Sequence, residues 1–134
     1  MKKILFALMA CVAMFGFTAC NETVESQIFD LGYDASALES GDAMLYQLTY
    51  EQLFIDEISK VAKPVTESGK TFMINSTETK AKAAVKAAFE TASIAAQALN
   101  DKAAIKLKGL KVTLKHSNSK NSGNPADFCE YVFK

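Results

Sequence analysis

Residues 71–100 read TFMINSTETKAKAAVKAAFETASIAAQALN. Thr71 to Ile74 is a short run of β-branched and apolar residues and predicts a strand. Asn75 or Ser76 then offers a helix cap. From about 77 to 99 the apolar residues return at helical spacing. Ala81, Ala84, Val85, Ala88, Phe89, Ala92, Ala95, Ala96 and Leu99 share one face, with Lys82, Lys86, Glu90, Ser93 and Gln97 opposite. The alanines favour helix and let it lie close against a neighbour.

Downstream, residues 105–115 alternate strictly on both sides of Gly109, but the phase slips by one residue there. A β-bulge at Gly109 would place Ile105, Leu107, Leu110, Val112 and Leu114 on one side and Lys106, Lys108, Lys111, Thr113 and Lys115 on the other. Alternatively, Lys108-Gly109 is a tight turn between two short strands, which splits the lysine row. Residues 116–125 form a polar loop that carries His116, and Asp127 to Phe133 alternate as a final strand. In that strand Cys129, Tyr131 and Phe133 share one face, and Phe128 and Val132 the other.

Upstream, Ile28 to Tyr33 reads as a first strand and residues 34–41 as turn-like. Asp42 caps a helix over 43–62, or Thr49 with Gln52 three residues later starts a shorter one. The continuous helix gathers Met44, Leu48, Phe54, Ile55, Ile58, Val61 and Ala62 on its inner face, with Glu51 among them. The shorter helix leaves Glu51 in an exposed first turn, where the helix dipole favours it. Pro64 and Gly69 bound the loop that follows.

The order β-α-β-α-β-β suggests a right-handed parallel crossover over 71–114. The expected fold is α+β: a two-layer sandwich with a mixed sheet of about four strands and two helices on one face. The lysines would then line the open face.

Composition narrows the chemistry. The chain has 134 residues, about half of them hydrophobic, with zero formal charge. All fifteen basic residues are Lys, so the bidentate anion grip of Arg is absent. Residues 21–67 hold ten acids and two Lys, whereas 68–134 hold five acids and eleven Lys. Nucleic acid is not an expected partner, because no aromatic interleaves with the lysines. Ser68-Gly69-Lys70-Thr71 resembles the end of a P-loop, but Pro64 stands at the earlier glycine position and a strand follows. One histidine gives no zinc set. Neither a catalytic constellation, a metal site nor a cofactor is expected, and Asn75-Ser76-Thr77 reads as a helix cap.

The N-terminus is more specific. Lys2 and Lys3 precede an uncharged apolar run, Ile4 to Phe17, then Phe17-Thr18-Ala19-Cys20 and the polar Asn21-Glu22-Thr23. This is the pattern of a secretory signal. The run falls short of the roughly 20 residues of a spanning helix. Phe17-Thr18-Ala19-Cys20 resembles the lipobox of bacterial lipoproteins, with Phe17 where Leu is usual. Leu8-Met9-Ala10-Cys11 is a second partial match with about seven apolar residues ahead of it. The resemblance implies lipidation of Cys20, and Asn21 at the next position implies the outer rather than the inner membrane.

The expected organisation is a signal peptide over 1–19, a lipidated tether over 20–27 and one domain over 28–134. Cys129 is then the one remaining thiol. The expected role is non-enzymatic binding or structural support at the cell envelope. Lys106, Lys108, Lys111 and Lys115 are its candidate contact with an anionic envelope component or another protein. The alternatives are a small envelope enzyme using Glu51, Cys129 or His116, and a small-ligand carrier with a pocket between helices and sheet.

Overall fold

The computed structural model describes residues 23–38 and 43–134. The expected signal segment, Cys20 and the expected cap Asp42 lie outside the described residues. Five strands form one sheet: β1 (Glu25–Asp34), β2 (Lys63–Pro64), β3 (Thr71–Ser76), β4 (Lys111–Ser117) and β5 (Ala126–Val132), in the spatial order β2-β3-β1-β4-β5. Two helices, α1 (Glu51–Ser59) and α2 (Glu78–Lys102), cover one face.

The two-layer α+β sandwich is as expected, with two corrections to the sheet. It has five strands rather than about four, and every neighbouring pair is antiparallel rather than mixed. β3 and β4 do run in the same direction across α2, but β1 lies between them and pairs with both. The ten-residue β1 takes the centre because it can bury one whole face. Gln27, Phe29 and Leu31 alternate inward along it. Gln27, expected in the tether, is therefore a fully buried member of the sheet.

The inner face of the sheet carries Phe72, Phe29, Leu31, Val112 and Leu114, all buried against the helices. Phe54 of α1 and Phe89 of α2 meet at 5.3 Å between ring centres, which joins the two helices over this layer. Thr77, rather than Asn75 or Ser76, caps α2, its hydroxyl accepting from the Lys80 amide at 3.3 Å. The buried stripe of α2 turns slightly from the expected one: Ser93 and Asn100 are buried, whereas Ala95 and Leu99 are exposed.

The first helical segment differs in phase. Tyr46–Tyr50 is a π-helical turn in which the Glu51 amide donates to the Tyr46 carbonyl five residues back. One extra residue in a turn rotates everything before it by about 100°. Met44 and Leu48, expected inside, are therefore 61% and 76% exposed, and Tyr46 and Tyr50 are buried instead.

Gly109 is resolved as a turn. The Leu110 amide donates to the Leu107 carbonyl at 3.0 Å, and Gly109 adopts φ +95°. No strand runs over 105–108.

Candidate functional site

The expected lysine row is not assembled. Only Lys111 and Lys115 project from the open face of β4. Lys106 lies before the turn, where its ammonium donates to the Asn100 and Asp101 carbonyls at 3.2 and 2.7 Å. It thus satisfies the end of α2. Lys108 sits within the turn itself.

The two lysines that do share the face stand opposite acids. Lys111 pairs in register with Asp34 of β1, and Lys115 with Asp30 of β1 and Asp127 of β5. The Lys111 ammonium also approaches Glu130 at 3.8 Å. Such cross-strand pairs are favourable and offset the charge of both lysines, leaving the acids in excess. The signal for this was present in the sequence: Asp30 and Asp34 alternate with the apolar residues of β1 as the lysines do along β4. What the sequence withheld was that β1 and β4 are neighbours.

The structure instead gathers its surface relief along β5, the long edge strand. The opposite edge is the two-residue β2, blunted by Pro64. A hollow of about 330 Å³ borders β5 on the open face, lined by Asp34, Lys111, Thr113, Asp127 and Glu130. A groove of about 540 Å³ borders it on the helix face, between β5 and α2, lined mainly by Phe89, Ile94, Phe128, Cys129 and Tyr131, with Lys86, Glu90 and Ser93 also contributing. Ile94 is 72% exposed at its rim.

A register shift between Leu114 and Lys115 turns Phe128 toward the helices. Its ring lies 5.6 Å from that of Phe29, and the Lys82 ammonium sits 5.5 Å above it. Phe128 was expected on the opposite face. The shift could not be read from β5 alone, because it is a property of the pairing.

The side chains that carry acid-base or nucleophile chemistry are placed as follows. His116, expected in a surface loop, belongs to β4 and is buried. Its Nε2 lies 2.8 Å from Gln27 Oε1, which also accepts from Asn118 Nδ2 at 3.0 Å. Burial, and then the Lys82 ammonium, hold the imidazole below its ordinary value against the upward pull of Glu78 and Glu25. The Glu78 carboxylate is held low chiefly by its hydrogen bond with Lys82, at 2.8 Å.

Glu51 is buried in the first turn of α1, so neither expectation for it holds in full. Its Oε2 lies 3.2 Å from the Lys70 ammonium, away from hydrogen-bonding geometry, which makes the contact an ion pair. Cys129 is half-buried in the groove, and burial pushes its thiol up to about 11. Among the described residues no cluster of three or more metal-ligating side chains occurs.

No family model matches this chain, and neither a curated protein nor a solved structure matches it.

Proposed function

We propose that this chain is a lipid-anchored protein of the bacterial cell envelope whose domain acts by binding rather than by catalysis. The observation that carries the reading is the sequence Phe17-Thr18-Ala19-Cys20 behind a charged start and an apolar run. No helix among the described residues is long and apolar enough to cross a membrane. The acyl chains on Cys20 would therefore supply the attachment.

The anchor would also limit how far the domain stands from the bilayer. From Cys20 to Glu25 the chain reaches at most about 17 Å. The end of the sheet at Glu25, Ser76 and Ser117 would thus lie near the bilayer. Asp34 lies about 30 Å from Glu25 along β1, at the rise of an extended strand. β5 runs parallel to β1, and among the described residues no strand pairs with its outer edge.

A binding role is supported by the state of the reactive groups. His116 is tied to Gln27, Glu51 is paired with Lys70, and the Cys129 thiol is raised. The open face, where Lys111 and Lys115 stand against acids, favours a protein partner over a polyanion. The outer membrane is the location that fits Asn21 after the modified cysteine.

Intact mass of the membrane-extracted protein, beside Cys20→Ala, tests the anchor. The expected result is a chain starting at Cys20 and carrying acyl groups, with both features lost in the variant. An unmodified mass, or one that retains residues 1–19, would overturn the reading.

A further inference from the structure

We propose that the outer edge of β5 is a docking site for an extended partner segment of alternating basic and apolar residues, which adds to the sheet as a sixth strand. This deepens the binding role proposed above but does not depend on the lipid.

The backbone identifies the class of ligand. The Phe133 amide donates to the Leu110 carbonyl at 2.9 Å, so at this residue the backbone faces β4. Backbone groups alternate sides along a strand. Those of Tyr131 therefore also face β4, whereas those of Glu130 and Val132 turn outward. Among the described residues, no strand pairs with that edge. Glu130 and Val132 are both exposed. A row of outward N–H and C=O groups is satisfied by another extended chain.

The two flanking hollows identify the side chains. Alternate residues of an added strand project to opposite faces. Those on the open side meet a hollow with three carboxylates, Asp34, Asp127 and Glu130, beside the Lys111 ammonium, with Lys115 in register next to Asp127, so that acids still outnumber lysines there. Lys or Arg fits there. Those on the helix side meet the groove of Ile94, Phe128, Cys129 and Tyr131, which takes apolar side chains. The same charges argue against a second copy of this chain. A two-fold β5–β5 pairing would bring Asp127 and Glu130 of both copies onto one face, and facing like charges disfavour pairing.

The test uses the full chain in detergent and a labelled probe peptide, acetyl-Lys-Val-Lys-Val-Lys-Val-Lys-amide, read by fluorescence anisotropy and by amide exchange. The expected result is saturable binding that slows exchange of the Glu130 and Val132 amides. Val132→Pro removes an outward N–H without touching the bonds to β4, and Glu130→Lys reverses a charge in the hollow. Each is expected to weaken binding by about three- to tenfold, the loss of one hydrogen bond or exposed ion contact, with the thermal midpoint of the free protein little changed.

Absence of saturable binding, equal binding by Val132→Pro, or protection of the same amides by concentration-dependent self-association would each overturn the proposal. A chain that lacks lipid but binds the probe would overturn only the anchor.

Discussion

His116 Nε2 and Gln27 Oε1 lie 2.8 Å apart in a buried layer of the sheet, although 89 positions separate them in the chain. Gln27 Nε2 donates to the Ser76 carbonyl, so Oε1 is an acceptor and the imidazole must donate from Nε2. Because the folded imidazole titrates below its usual 6.5, its contribution to stability is complete above that value. It is lost as pH falls from 6.5 through the folded value. Glu78 is also depressed, but from 4.5, so its loss begins at lower pH. Thermal midpoints should therefore begin to fall below about pH 6.5. His116→Gln should flatten that upper part of the profile; a profile unchanged by the substitution would contradict the assignment.

Gln27→Leu removes the acceptor shared by His116 and Asn118. The His116 Nε2 donor is then left without it, whereas Asn118 Nδ2 keeps Glu78 Oε1 at 3.2 Å, and the expected cost is about 1–3 kcal/mol. Urea denaturation gives the number, and a cost below that of an ordinary surface substitution would show that the layer relaxes around the change.

Gly109 is fixed by space as well as by backbone angle. A Cβ there would stand 2.3 Å from the Ala37 carbonyl oxygen, and φ is +95°. Gly109→Ala should destabilise by about 2–4 kcal/mol. Gly123 has nothing within 4 Å of a built Cβ, and Gly123→Ala provides the control, with little change in the denaturation midpoint.

Tyr46 is fully buried, and its hydroxyl has no hydrogen-bond partner among the described residues. Burial, and then the Glu51 carboxylate, push the phenol well above its usual range, so it stays protonated. Tyr46→Phe keeps the ring contacts with Tyr33 and Phe54 and deletes the unmatched group. It should raise stability by about 1 kcal/mol. A loss of stability in equilibrium unfolding would reveal a partner for the hydroxyl.

The raised Cys129 thiol should alkylate slowly. Moving from 9.0 to about 11 cuts the thiolate fraction near pH 8 by about a hundredfold, and the higher intrinsic nucleophilicity restores part of that. Iodoacetamide should react at least about tenfold more slowly with the folded chain than with the same chain in denaturant. Equal rates would mean that the groove opens freely.

Periodicity carried the sequence reading where local pattern decides structure. α2 was legible because its apolar stripe repeats over six turns, and the α+β class follows from strand-like and helical runs in that order. The lysine row was legible as alternation and misleading as a surface. Lys106 and Lys108 fall in and before a turn that one positive φ at Gly109 creates. Met44 and Leu48 were misplaced because a π turn adds a single residue to the helical phase, and nothing in the local residues marks it.

The amino-acid sequence by itself determined α2 and the inward alternation of β1 and of β4 from Lys111 onward, since each rests on neighbours within a few residues. Tertiary structure alone decided that β1 lies between β3 and β4, which set acids against the lysines and buried His116 on Gln27. It also left β5 as the open edge. Strand order and register depend on contacts between distant segments, and an alternating strand offers the same pattern to any neighbour until the whole sheet has been paired.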